Sequence, residues 1–347
     1  MNSNYINCPA PKQEYKVLVI CNTFNQSRYI EDALKGFAIQ QTDFPFLCCV
    51  FDDASTDGEQ EVLKRWVVNH CNSEEVEVYD HPLAIILNAP DKNNPNCIYV
   101  IHLQKINTWG KPEKRELLNY WRQFGEYLAL CEGDDYWIDP LKLQKQVDFL
   151  DENPEYTMCF HSAIEHYEHK EVSDKLFSQV LDKDYTGQFI FKNWIVPTAS
   201  VLYKSSVLNS ELYQQVLLSK VFLYGDTPLF VTCAELGKVR GMSDVMSVYR
   251  RNDGGVTMRR KTIEWVRKNF NHIIAFPKYF SINPYVAHYV ATLHVLNSVH
   301  ILSEANCSKR EFLSQLRFLS VFSAHCRYYI VRFLKYLIKV LGFRENS

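Results

Sequence analysis

Continuous apolar runs of strand length alternate along the chain with stretches whose apolar residues recur every three or four positions. KVLVIC at 16–21 is the first run, and it breaks at Asn22-Thr23-Phe24-Asn25, residues that suit a turn and a helix N-terminus. Tyr29, Ile30, Ala33, Leu34 and Phe37 then fall at helical spacing, until Gln40-Gln41-Thr42-Asp43 ends the pattern. The unit repeats: FLCCVF at 46–51 stops at DDASTDG, 52–58, and Val62, Leu63, Trp66 and Val67 make a second helical face. CIYVI at 97–101 and YLALC at 127–131 are further strand candidates. Buried strands alternating with amphipathic helices predict an α/β fold with a mostly parallel sheet covered on both faces. In such sheets ligands bind beyond the carboxyl ends of the strands. The polar clusters at 22–25, 52–57 and 132–135 all fall at that edge.

The third cluster is the most acidic. Cys131-Glu132-Gly133-Asp134-Asp135-Tyr136-Trp137 crowds three carboxylates into four positions, and like charges that close require a counter-charge. A divalent cation supplies one, and oxygen ligands select Mg²⁺ or Mn²⁺ over zinc. One or two carboxylates suffice where phosphates and water complete the coordination. Downstream, Asp139 as N-cap and Pro140 at the first helical position predict a helix with Leu143, Val147 and Leu150 on one face. The loop is thereby pinned between a central strand and a helix. Tyr136 and Trp137 either wall the loop from water and shape a pocket, or anchor it to the core.

With 347 residues the chain is long enough for one large domain plus an extension, and its formal net charge of -2 gives no global field for nucleic acid. Eleven cysteines without a CxxC pair, several in apolar runs, point to a reducing compartment. The polar N-terminus shows no leader and no run of about 18 apolar residues occurs, so the expectation is a cytoplasmic protein. From about residue 261 the pattern is helical. There Arg327, Arg332, Lys335 and Lys339 lie within about 140 degrees of one helical face, with Ile330, Phe333, Leu334, Leu337 and Leu341 on the other. Such a helix either lies on an anionic membrane surface, making the protein peripheral there, or packs on protein. The division expected is 1–260 and 261–347.

Five segments stand in collinear order between residues 15 and 256: VLVICNTFN, DDASTDG, Glu132-Gly133-Asp134-Asp135-Tyr136-Trp137, Tyr224-Gly225-Asp226-Thr227-Pro228-Leu229 and Val248-Tyr249-Arg250. Together they resemble the family 2 glycosyltransferases, nucleotide-sugar enzymes of the GT-A fold, particularly bacterial members that build surface polysaccharides. The resemblance implies that Asn22, Thr23 and Phe24, with Asn25, line the nucleotide pocket and that Asp53 hydrogen-bonds the base, usually uracil. Glu132-Gly133-Asp134 matches the family's Asp-x-Asp element at the nucleotide, with Glu in place of the first Asp, which leaves Glu132 either at the ribose or at the metal. Asp134 is then the metal ligand, Asp135 a further candidate at the metal site, and Asp226 the base that takes the acceptor's proton, although locally Asp226 also reads as a helix cap. Where the family often carries a histidine after the late Tyr-Arg, this chain has Arg251-Asn252-Asp253.

Lys111, Lys114 and Arg115 either reach the diphosphate or are solvated helix residues. Trp194, in a segment similar to the family's acceptor side, either stacks on a sugar or belongs to the core. The implied reaction is single-displacement transfer, with inversion, from a UDP-sugar or similar donor to a hydroxyl of a glycan or lipid-linked acceptor. A nucleotide-sugar or glycan binding protein without turnover is the alternative. A nucleotidyltransferase would show a glycine-rich loop after the first strand, and Asn22-Thr23-Phe24-Asn25 has no glycine.

Overall fold

The structure is a computed structural model that describes residues 10–11, 13–168, 171–252 and 263–303. The cationic face at Arg327, Arg332, Lys335 and Lys339 lies outside the described residues. The chain divides into two compact units, Met1–Gln214 with Leu229–Asp253, and Gln215–Pro228 with Gly254–Ser347.

In chain order the elements are β1 (Tyr15–Thr23), α1 (Ile30–Ala38), β2 (Phe46–Asp52), α2 (Glu59–His70), β3 (Glu77–His81), β4 (Ala84–Pro90), β5 (Cys97–Gln104), α3 (Pro112–Arg122), β6 (Gly125–Leu130), β7 (Tyr136–Trp137), α4 (Lys142–Glu152), β8 (Tyr156–Tyr167), β9 (Lys175–Leu176), α5 (Gly187–Asn193), β10 (Leu202–Lys204), α6 (Glu211–Ser219), α7 (Asp226–Leu236), β11 (Lys238–Arg251), α8 (Ile263–Ala275) and α9 (Pro284–Ser303). All the strands join one sheet in the order β3-β4-β5-β2-β1-β6-β10-β8-β11-β7, with β9 on β8. The centre, β5-β2-β1-β6, is parallel, as the buried apolar runs predict. Its flanks are mixed: β3-β4-β5 is an antiparallel meander, β10 runs antiparallel to both its neighbours, and β11 is parallel to β8.

Register sets the site. Thr23 stands opposite Asp52, Asp52 opposite Leu103, and Ile20 opposite Leu130, so the chain leaves β1, β2, β5 and β6 along one edge. One sheet face packs Val17, Val19, Cys48, Val50, Ile101 and Ala129 against apolar residues of α1, α2 and α4. On the other, α3 brings Trp121 edge-on to His102, with 5.2 Å between ring centroids. Burial holds the His102 imidazole neutral, its pKa lowered to about 3.

One local expectation is corrected and one open choice is decided. Helix α4 starts at Lys142, not Pro140: Asp139 Oδ1 accepts the Leu141 N–H at 2.8 Å in a turn, while Gln40 Oε1, from the exit of α1, accepts the Leu143 N–H at 3.1 Å. A tertiary contact does the capping that local sequence assigned to Asp139. Trp137, for which the sequence left both the sugar pocket and the core open, is core at 1% exposure. Its indole N–H donates to Ala199 O at 2.9 Å and its ring meets Phe37 edge-on at 4.9 Å. Helix α1 passes so close that a Cβ on Gly36 would lie 2.8 Å from Trp137 N.

Lys142 is wholly buried, with Nζ 4.1 Å from the Trp137 ring centroid and donating to Gln146 Oε1 at 2.7 Å. Burial lowers its pKa from 10.5 to about 7. Between those values the unfolded lysine holds a proton that the folded one has lost, so stability rises with pH across that window and the full penalty stands below it. Lys142→Met should therefore stabilise the fold at pH 6 by about 2 to 4 kcal/mol after the cost of leaving Gln146 Oε1 unpaired, seen as a higher melting temperature. The gain should shrink toward pH 10; equal gains at both pH values would contradict a buried cation.

Candidate active site

Two loops leaving the sheet edge are laced together. Asn25 adopts a left-handed conformation, φ 55°, which asparagine tolerates better than most residues. This lets its N–H donate to Ser55 Oγ and its Oδ1 accept the Thr56 N–H, both at 2.8 Å. The Ser27 N–H donates to Asp57 Oδ2 at 2.9 Å. Thr23 is buried beneath these contacts, whereas Phe24 is 42% exposed. Asp53 Oδ1 accepts both the N–H and the hydroxyl of Thr108, at 2.7 and 2.6 Å, which ties in the β5–α3 loop.

Unsatisfied polar atoms gather at this edge. Asn22 Oδ1, Asp52 Oδ2 and both side-chain polar atoms of Gln104 are buried without a hydrogen-bond partner in the protein. These residues end or nearly end three adjacent parallel strands, and clustered unsatisfied groups mark a place for a polar ligand. Burial also raises the Asp52 carboxyl, as Asp53 beside it does more weakly. Of the three basic residues singled out, Lys114 turns inward, 5.4 Å over the Phe51 ring, with its pKa lowered by burial against the pull of Asp53 and Asp52. Lys111, bonded to Asn107 O at 2.7 Å, and Arg115 are exposed.

The acidic loop sits beside β1. The Gly133 N–H donates to Asn22 O at 3.1 Å, and a Cβ on Gly133 would come within 2.6 Å of Gln26 Oε1 and 2.7 Å of Thr23 Cβ. Only glycine permits that approach. Asp134 Oδ2 accepts the Asn252 amide at 2.8 Å, and burial is the main cause raising its pKa. Asp135 turns away: it is 3% exposed, and its Oδ1 accepts the Arg250 N–H at 2.8 Å. Burial first, then the carboxylates of Asp134 and Glu132, push its pKa well up.

Arg250, whose role the sequence left open, organises this region. Its Nε donates to Asp134 O at 2.8 Å, its Nη2 to Asp32 Oδ2 at 2.8 Å, and it pairs with Glu168. The guanidinium lies 4.8 Å from the Tyr29 ring centroid and 4.9 Å from that of Tyr136, so Tyr136 holds the clamp in place.

A hard dication fits this donor set. Glu132 and Asp134 flank a glycine that opens the backbone, and burial makes the negative charge of Asp134 costly until a cation neutralises it. Asp135 does not fit as a ligand, because its oxygen is committed to the Arg250 N–H in the interior; it braces the loop instead. Asn252 presents its nitrogen to Asp134 and so serves as a donor, not as an oxygen ligand; Asp253 lies outside the described residues.

Trp194 is a surface residue at 50% exposure. It ends α5 at φ 43°, packs edge-on to Phe177 at 5.3 Å, and lies 5.9 Å from the Arg251 guanidinium. In the other compact unit, Asp226 begins α7 and its Oδ1 accepts the Thr227 N–H at 2.7 Å, while burial raises its pKa. A Cβ on Gly225 would meet open space. The preceding Tyr224 accepts the Trp265 indole N–H of α8 at 3.0 Å, and the Leu223 N–H donates to His272 Nδ1 at 3.1 Å.

No family model matches the chain. It is 31% identical over 248 residues to uncharacterized protein Rv1520 of Mycobacterium tuberculosis (strain ATCC 25618 / H37Rv) and to uncharacterized protein Mb1547 of Mycobacterium bovis, a match covering 70% of this chain. The chain spans 62% of the length of these mycobacterial relatives. Among solved structures it resembles Staphylococcus aureus TarS 1-349 in complex with UDP-GlcNAc, with a TM-score of 0.52 and 15% identity over 94% of this chain and 81% of that one. It also resembles the mannosyltransferase PcManGT from Pyrobaculum calidifontis in complex with GDP-Man and Mn²⁺, with a TM-score of 0.50 and 15% identity over 98% and 90% of the two chains. The fold is that of these two glycosyltransferases. No helix among the described residues is long and apolar enough to cross a membrane.

Proposed function

We propose that the protein is a cation-assisted glycosyltransferase of the family 2 type, moving a sugar with inversion from a UDP-sugar to a hydroxyl of a glycan or lipid-linked acceptor in bacterial polysaccharide assembly. One observation carries the reading: a glycine-centred pair of carboxylates, Glu132 and Asp134, lies beside a strand edge whose Asn22, Asp52 and Gln104 leave polar atoms unsatisfied. The ligands of the two fold neighbours, UDP-GlcNAc in one and GDP-Man with Mn²⁺ in the other, are consistent with it.

In this reading Asn22, Thr23, Phe24 and Asn25 receive the nucleotide, Asp53 the base, and Lys114 the diphosphate. Glu132 and Asp134 hold Mn²⁺ or Mg²⁺, which when bound offsets the charge that builds on the departing diphosphate. Arg250 and Asn252 fix the Asp134 backbone and carboxylate, so the loop is set before the donor arrives. Asp226 takes the proton from the acceptor hydroxyl as it attacks. Trp194 offers a ring face to the acceptor sugar. We assign catalysis to 1–260 and regard 261–347 as an extension that meets the cytoplasmic membrane surface or packs on protein.

Incubation with a panel of UDP-, GDP- and dTDP-sugars plus Mn²⁺ tests the proposal through the nucleoside diphosphate released. Release from one donor class is the expected result. Binding without release from any donor would favour a protein that holds the sugar nucleotide without turnover, a reading to which Asn252, standing where the family often has histidine, lends its support.

A further inference from the structure

Glu59, the first residue of α2, is buried at 0% exposure and forms no ion pair among the described residues. Its Oε2 accepts the Gln26 N–H at 2.8 Å and the Ser55 hydroxyl at 2.9 Å, and its Oε1 lies against the Thr23 hydroxyl. The same Thr23 hydroxyl is 2.8 Å from Gln26 Oε1. A threonine hydroxyl has one hydrogen to give, so it cannot donate to both neighbours. An ionised Glu59 would leave two acceptors facing one donor. A protonated Glu59 removes the conflict: it donates to Thr23, and Thr23 donates to Gln26 Oε1. The Gln26 side chain in turn lies close enough to the Asp134 carboxylate to favour its charged form.

We propose that Glu59 is held as a neutral carboxylic acid heading a hydrogen-bond relay, Glu59 to Thr23 to Gln26, that ends beside Asp134, and is a positioning residue for the carboxylate that receives the cation and donor. This rests on the reading of Asp134 given above. Burial pushes the Glu59 carboxyl up to about 7, against the pull of the Thr23, Gln26 and Ser55 hydrogen bonds and with a smaller push from Asp52. The titratable groups facing it are Asp52 at the end of β2 and Cys21 on β1, itself raised by burial and by Glu132 and Glu59. Asp57, in its own loop, accepts the Glu59 N–H at 3.1 Å. None of these is a cation that would favour the charged form. Gln26 is also held sterically, since Gly133 leaves no room beside it. Ionisation of Glu59 at alkaline pH reverses the Thr23 hydroxyl and releases the Gln26 amide from one side, loosening Asp134.

Three proteins test this: wild type, Glu59→Gln and Thr23→Val. Glutamine copies the neutral acid, with an N–H for Thr23 and an oxygen for Gln26 and Ser55. Infrared spectra should show a carboxylic-acid carbonyl band in wild type at pH 6 that fades through neutrality and is missing from Glu59→Gln. Wild-type affinity for UDP with Mn²⁺, and for Mn²⁺ alone, should fall roughly 10-fold between pH 6.5 and 8.5, whereas Glu59→Gln holds its affinity across that range and Thr23→Val is weak throughout. Glu59→Gln weakening in parallel with wild type, or spectra of the two that match at pH 6, would overturn the relay. Failure of all three to bind UDP, with the band and the Mn²⁺ comparison as expected, would sink the UDP-donor reading and leave the relay supported.

Discussion

Asp226→Asn should bind a UDP-sugar as the wild type does and transfer it about 10² to 10⁴ times more slowly, the usual contribution of a positioned base. Asparagine keeps an oxygen for the Thr227 N–H, which Asp226 accepts at 2.7 Å, so the start of α7 survives the change. The loss should appear in kcat with KM for the donor nearly unchanged, the pattern of a group that acts only as the acceptor attacks. Because burial raises the Asp226 carboxyl, wild-type kcat should fall as pH drops through a value above the ordinary carboxylate range. That limb should be missing from the asparagine variant. A variant with full rate would mean that another group takes the proton.

Asp134→Ala should abolish the cation-dependent part of donor binding. With Mn²⁺ present its affinity for UDP should be roughly 10²-fold or more below wild type, and in EDTA the two proteins should bind alike. The loop itself should persist, since Arg250 Nε holds the carbonyl of residue 134 and not its side chain. An unchanged melting temperature would establish that. Equal Mn²⁺ stimulation of both proteins would place the cation elsewhere.

The centre of the sheet is legible because β1, β2, β5 and β6 are buried on both faces and read as unbroken apolar runs. The flanks are not. Strand β3 alternates half-buried with exposed positions and β4 mixes buried with half-buried ones, and Glu77, Asp80 and Asn88 give their segment a polar look. Strand β11 carries Arg240, Asp244, Arg250 and Arg251, and shifts register against β8 near Met242 and Val245, so no single period runs through it. The site divides in the same way. Loops at strand ends announce themselves by composition, and so the residues at 22–25, 52–57 and 132–135 converge as expected. What a side chain does within a loop depends on partners far away in sequence. Asp134 and Asp135 are neighbours of one type, yet the first meets Asn252 and the second the Arg250 backbone. Glu59 reads as an ordinary acidic residue in the first turn of a helix, and only the fold sets it under Thr23. Trp137 and Trp194 were alike in sequence, and Ala199 with Phe37 claims one of them for the core.

The most direct measurement is anomalous X-ray scattering at the manganese edge from crystals grown with UDP and Mn²⁺. The account predicts one strong peak within coordination distance of the Asp134 carboxylate and the diphosphate, with the uracil against Asp53. A peak remote from residues 132–134, or UDP bound away from the edge formed by Asn22, Asp52 and Gln104, would contradict it.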